Sequence, residues 1–403
     1  MTYPEEALAH GVARHRAGHF AEARSVYESL ISQSLDSRVN GAALAHLATL
    51  HLRENRVVEA QMASGQALQQ NEDNGTALWA WVQCQRRMGH PEHALETLLQ
   101  RSSHSLPPQL LHEMGLSYEA LGEFGKAYMS FKEAKRRISF ANLDVDRELL
   151  IQYMEQVGTS RLSTTTSAMD QKDEAHLAPV FIVGFNESGV SELGRMLARH
   201  PDLRLAAEVP AIVAARKQLD GKDPSQLNGL TEEDLHRARS AYFSTVNQRI
   251  PGTQRIVDAL PMNLLAAGLI QRLFPESPIV HCIRHPHEAV INTFIRPYTL
   301  NNVTCHFDRL ERTALTYAGV MSLAHKLETV DGVAMATLRY EDLMTHPEVF
   351  LNAIAADVGI SWAGQPRIAP RTALPRWRNY SREMSRWLPT LDPLARDLGY
   401  PAK

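Results

Sequence analysis

Gly184, Ser188, Gly189, Val190 and Ser191 stand between two differently patterned stretches. Before them runs Pro179-Val180-Phe181-Ile182-Val183, continuous, apolar and β-branched, as a buried parallel strand requires. After them Leu193, Met196 and Leu197 fall on one helical face, and Arg195 and Arg199 on another. A strand, a glycine-containing loop and a helix start can hold a phosphate-like anion, because backbone N–H groups and the helix dipole converge on it. The same residues also fit an ordinary β-loop-α turn, and the loop alone favours that plainer reading. Glu208 closes the stretch. A second strand pattern, Pro278-Ile279-Val280-His281-Cys282-Ile283, ends directly on Arg284.

The elements positioning these residues read as an α/β domain over 178–403. Strand patterns at 179–183, 255–258, 278–283 and 333–338 alternate with helical ones, Thr231 opening one of them as a capping residue. The alternation predicts a mostly parallel sheet. In such sheets ligands sit at the carboxyl ends of the strands, where the Gly184 loop and Arg284 would lie.

The N-terminal part has a different period. Gly18, Asn55, Gly89 and Gly122 each precede by five residues an alanine, namely Ala23, Ala60, Ala94 and Ala127. A turn residue tolerant of positive φ followed by a small residue suits helix–turn–helix units in close contact. The alanines follow one another at 37, 34 and 33 residues. Bulky side chains recur four beyond the alanine at Tyr27, Leu98 and Phe131, with Ser64 in the second unit. Residues 4–137 therefore resemble tetratricopeptide (TPR) repeats, about four of them, stacked so that one face could take a peptide or protein partner, or serve as a scaffold or homodimer contact. Trp79 and Trp81 cannot share a helix face, so one is expected in the core and the other outside. A further helix near 140–158 is expected to cap the stack. That organisation is 1–158 for the repeats with their cap, 159–177 for a Ser/Thr-rich linker, and 178–403 for the α/β domain.

Composition excludes several classes. The chain has 403 residues, 44% hydrophobic and 22% charged, with a formal net charge of −3. That balance is ordinary for globular domains and gives no case for nucleic-acid binding. No run of 18 apolar residues suggests a membrane span. Cys84, Cys282 and Cys305 suggest neither a disulfide framework nor a metal site, and imply a reducing, cytoplasmic setting. No metal is expected. The absence of Gly-Lys-Ser/Thr after the loop argues against a P-loop NTPase.

Four blocks carry a more specific resemblance: PVFIVG…SG…LARHPDL…E, DALPMN…LFPESPIVHCIRHP, LRYEDL…HPE and PRWRNY. In order and spacing they resemble the sulfotransferase family, in particular bacterial members with N-terminal TPR repeats and the tyrosylprotein sulfotransferases. The resemblance implies a P-loop-like fold and transfer of a sulfuryl group from 3′-phosphoadenylyl sulfate (PAPS) to a hydroxyl acceptor. Carried over by residue, the loop from Gly184 to Ser191 would hold the phosphosulfate, Arg284 and Asn292 the 3′-phosphate, and Glu208 would be the general base. An arginine fork suits phosphate. Outside that context Glu208 reads as a solvated helix cap, Arg284 as a surface ion pair, and Arg339-Tyr340-Glu341-Asp342 as structural.

The chain departs from the family pattern at several positions. Glu187 stands where the loop usually has a cation, and Val190 replaces a hydroxyl residue. Ala259 stands at the usual lysine, and no Gln-Val-Arg segment is recognisable between Ile360 and Arg376. Arg195, Arg371 and Arg376 are the candidates to restore the charge. The competing expectation is a catalytically inactive member acting through its repeats.

Overall fold

The computed structural model describes residues 4–33, 36–101, 106–138, 145–162, 177–219, 224–362 and 375–401. It divides into two compact units, Met1–Asn142 and Leu143–Lys403.

The first unit is a sequence of helical pairs. Its helices are α1 (Pro4–Arg16), α2 (Phe20–Gln33), α3 (Ser37–Arg53), α4 (Val57–Gln70), α5 (Gly75–Arg87), α6 (Pro91–Leu99), α7 (Pro108–Ala120) and α8 (Phe124–Arg136). Each packs on the next, and α3 also meets α5 and α5 meets α7. The turn residues Gly18, Asn55, Gly89 and Gly122 all have φ between 60° and 86°. The four alanines five residues later are fully buried. Size matching explains the variable bulky position. A Cβ on Gly11 would lie 2.9 Å from the Tyr27 ring, and one on Gly115 would lie 2.5 Å from the Phe131 ring. The aromatic therefore requires glycine on the facing helix. In the second pair the equivalent facing residue is Ala48, and the small Ser64, its hydroxyl bonded to the Ala60 carbonyl at 2.7 Å, suffices. Trp79 and Trp81 are both half-buried against the Leu78–Leu98 cluster, so neither is the fully exposed member of the pair.

Helix α9 (Glu148–Thr159) belongs to the second unit, where it packs on the helix Leu310–Thr329 and the 3-10 turn Pro224–Gly229. The division thus falls ahead of 158. Lys326 explains the attachment, donating to the Val157 carbonyl at 2.8 Å while pairing with buried Asp331 at 2.7 Å. A cation there satisfies carbonyls that a helix C-terminus leaves open. The expected linker over 159–177 lies mostly outside the described residues.

The rest of the second unit runs β1 (Val180–Gly184), α10 (Val190–Leu197), β2 (Leu203–Ala207), α11 (Ala211–Lys217), α12 (Glu232–Arg249), β3 (Arg255–Ala259), α13 (Ala267–Leu273), β4 (Ile279–Ile283), α14 (Pro286–Ile295), α15 (Leu310–Thr329), β5 (Ala336–Arg339), α16 (Tyr340–Thr345), α17 (Pro347–Asp357), α18 (Ser381–Met384) and α19 (Leu388–Asp397). The sheet has order β2-β3-β1-β4-β5, and every pairing is parallel. Sequence patterning missed β2, whose Leu-Arg-Leu-Ala-Ala composition has weak strand propensity. Thr231 caps α12 reciprocally with Asp234. One sheet face and α10 enclose a core of Val180, Ile182, Leu193, Leu197, Val257 and Val280. No helix among the described residues is long and apolar enough to cross a membrane. All three cysteines are unpaired and buried.

Candidate active site

Parallel pairing brings the loop after β1 beside the end of β4. Gly184 lies opposite Cys282, so Arg284, two residues on, emerges next to the loop. Two glycines permit this close fit. A Cβ on Gly184 would stand 2.4 Å from the Cys282 carbonyl oxygen and 2.6 Å from Ser188 Oγ. Gly189, at φ 108°, would place a Cβ 2.5 Å from the Tyr340 ring. Only glycine meets both demands at 189. Immediately after it α10 begins, presenting the N–H groups of its first turn without intrahelical acceptors.

Arg284 is built into this loop. Its Nη1 donates to the Glu187 carbonyl at 3.1 Å and its Nη2 pairs with Glu288 at 3.2 Å. The guanidinium lies over the Tyr340 ring, 4.3 Å from its centroid. Tyr340 therefore walls both Gly189 and Arg284, a role that its reading as part of a structural block missed. Glu288 is a hub: its side chain, 5% exposed, also accepts from Asn292 Nδ2 at 2.8 Å and from the Trp377 N–H at 2.9 Å. Asn292 in turn accepts from Arg376 at 3.1 Å. The structure thus gathers Arg284, Asn292 and Arg376 around one buried carboxylate. Among the buried polar atoms here without protein partners are two donors, Ser188 Oγ and Arg284 Nε. Unpaired donors of this kind are costly unless a ligand or water meets them.

The departures seen in the sequence acquire partners. Glu187 (φ 62°) accepts from Tyr298 Oη at 3.1 Å and pairs with Arg296 at 3.2 Å. Its carboxylate is therefore neutralised from the end of α14 rather than standing as a lone anion in the loop. Burial, and then the Glu187 carboxylate, hold the Tyr298 hydroxyl far above its ordinary pKa, so it remains a donor. Ala259 is buried, and its Cβ would meet a Cβ on Gly194 of α10 at 3.0 Å. A lysine there would drive its chain into the core between β3 and α10, so this position cannot supply the missing cation. Val190 points into the same core and can offer a ligand only its backbone N–H. Ser191 is partly exposed in the first turn of α10. Arg195 is spent on an exposed pair with Glu192, Arg371 lies outside the described residues, and Arg376 reaches the cluster.

Glu208 follows β2 immediately. It is exposed, with φ 57°, a left-handed backbone rare for a non-glycine residue. Since β3 lies between β2 and β1, Glu208 stands two inter-strand spacings, about 10 Å, from the β1 edge. It shares the carboxyl edge of the sheet with the loop but is not bonded into it. Asp258, one residue before the end of β3, is fully buried, accepting from Tyr242 and Asn263 at 3.1 Å each. Burial pushes its carboxyl up to about 7 despite both bonds.

Residues 179–364 match the model of the sulfotransferase family. Over 194 residues the chain is 27% identical to protein-tyrosine sulfotransferase 2 of Gallus gallus, a span covering 46% of this chain and 52% of that protein. Protein-tyrosine sulfotransferase A of Caenorhabditis elegans is 25% identical over 194 residues, 45% of this chain and 50% of that protein. The chain spans about half the length of these curated relatives. A solved sulfotransferase from Alicyclobacillus acidocaldarius aligns over 54% of this chain and 96% of its own, at 16% identity and a TM-score of 0.34. The α/β part of the chain is therefore similar to the sulfotransferase family over residues 179–364.

Proposed function

We propose that this domain transfers a sulfuryl group from PAPS to a hydroxyl acceptor. One observation carries the reading: Arg284 is bonded into the backbone of the β1–α10 loop while its Nε and the neighbouring Ser188 hydroxyl lack partners. That is a cradle built for an oxyanion. The loop from Gly184 to Ser191 binds the donor's phosphosulfate, and Arg284, Asn292 and Arg376 receive its 3′-phosphate. Bound there, the donor supplies an activated sulfuryl group. The acceptor oxygen attacks sulfur, the bond from sulfur to the phosphate oxygen breaks, and the hydroxyl proton passes to Glu208. The left-handed backbone of Glu208 supports a functional role, since such conformations persist where function demands them.

The test is Glu208→Gln. Labelled sulfate from PAPS is followed onto hydroxyl acceptors, including tyrosine peptides, beside calorimetry with 3′-phosphoadenosine 5′-phosphate. Turnover should fall roughly 10²–10⁴-fold with nucleotide binding kept. Unchanged turnover would remove Glu208 from the mechanism. A wild type that binds no nucleotide would end the sulfotransferase reading altogether. A second reading, an inactive member, draws on Glu288, which already occupies Nη2 of Arg284 and the amide of Asn292. It predicts weak or no nucleotide binding and no transfer to any acceptor.

The helical pairs of the first unit are read as four TPR repeats, with α1, α3, α5 and α7 forming the face for a peptide or protein partner. The alternative use of that face, a homodimer, is checked by sedimentation: a monomer at every concentration excludes it.

A further inference from the structure

The turn between α5 and α6 and the start of α6, Gly89-His90-Pro91-Glu92-His93, hold three chemistry-bearing side chains outside any core or site discussed above. His90 Nδ1 lies 3.8 Å from Glu92 Oε1. The His90 and His93 rings stack with centroids 5.4 Å apart. One ligating atom from each of the three residues lies within 4.8 Å of the others. All three are exposed, so the arrangement serves no packing need.

The backbone beneath them is stiff. Gly89 is left-handed at φ 86°, the His90 N–H is bonded to the Gln85 carbonyl at 2.9 Å, and Pro91 locks the first position of α6. The first pair offers an internal comparison. Its corresponding turn has His19 at the place of His90 but Ala21 and Glu22 at those of Glu92 and His93, and so lacks the second imidazole.

We propose that His90, Glu92 and His93 form a surface site for a divalent transition-metal ion of the zinc class. Two imidazoles and one carboxylate are a donor set suited to zinc, nickel or copper. Calcium and magnesium require more oxygen donors. Metal–ligand bonds of about 2.0–2.2 Å put tetrahedral donor atoms roughly 3.3 Å apart, so only small rotations of exposed side chains close the site. The open position takes water or a group from another molecule. The α6 dipole opposes a cation at its N-terminus, and the Glu92 charge offsets it.

Zinc chloride is titrated calorimetrically into the chelator-treated full chain. One equivalent should bind at neutral pH. His90→Ala and His93→Ala should each weaken binding at least tenfold, and His19→Ala should leave it unchanged. Cobalt absorption reads the site independently: the d–d bands of the wild type should vanish in His93→Ala. No zinc uptake by the wild type, or binding by His90→Ala and His93→Ala as tight as that of the wild type, overturns the proposal.

Discussion

Replacing Arg284 by alanine separates ligand binding from structural support, because the side chain serves both. Its guanidinium bonds a loop carbonyl at 3.1 Å and a buried carboxylate at 3.2 Å, and only 14% of it meets solvent. A charged hydrogen bond contributes about 1.5–3 kcal/mol. Two to a phosphate would give double that, but Nη2 must share or surrender Glu288 when the anion arrives. The surplus is therefore about one such bond, roughly a 10- to 150-fold loss of affinity at 1.4 kcal/mol per tenfold. The apo protein also loses stability, since Glu288 keeps only Asn292 and the Trp377 N–H as partners. Removing one member of a fully buried pair costs about 3–5 kcal/mol, and two surviving donors with partial exposure place this case below that range. Calorimetry with 3′-phosphoadenosine 5′-phosphate measures the first effect and a denaturant titration the second. Arg284→Lys keeps the charge but loses the fork, and should recover stability better than affinity. Equal affinity of Arg284→Ala and the wild type would refute Arg284 as a phosphate ligand.

Three further outcomes follow from named contacts. Glu187→Gln removes the loop's carboxylate while leaving an acceptor for Tyr298, releasing Arg296; nucleotide affinity should rise about 2- to 10-fold, the pair being partly screened. A loss of affinity would mean that the Glu187–Arg296 pair holds the loop in its binding shape. Asp258 has a folded pKa of about 7 against an ordinary 3.8, so the folded state binds its proton more tightly than the unfolded chain. This group's stabilisation is full below about 4 and is lost as pH rises towards 7, by up to roughly 1.4 kcal/mol per unit. Asp258→Asn should flatten that slope in denaturant melts at pH 5 and 7.5; parallel slopes would contradict the assignment. Gly115→Ala forces a methyl to within 2.5 Å of the Phe131 ring and should cost about 1–3 kcal/mol, whereas Gly75→Ala meets open space and should cost almost nothing. Similar melting temperatures for the two variants would refute the size-matching account of the repeats.

The sequence by itself determined what depends on neighbours along the chain. Gly18, Asn55, Gly89 and Gly122 betrayed their positive φ and the four following alanines their burial, because turn geometry and helix contact recur with the period. The runs at β1 and β4 announced buried strands, and Gly184 and Gly189 a loop that a Cβ would obstruct. Tertiary structure alone decided what depends on partners far away in sequence. The Leu203–Ala207 segment becomes a strand only because β3 offers it an edge, and that pairing carries Glu208 to the carboxyl side of the sheet. Helix α9 joins the second unit through Lys326, well over a hundred residues later. Ala259, aligned by sequence with a cation, faces the core because of strand register. Glu187, an apparent intruder in an anion loop, is neutralised by Arg296 and Tyr298 from beyond α14. Periodicity reports backbone conformation and burial, which are local. The charge balance of a site is a sum over groups that only the fold brings within a few ångström, and no spacing along the chain encodes it.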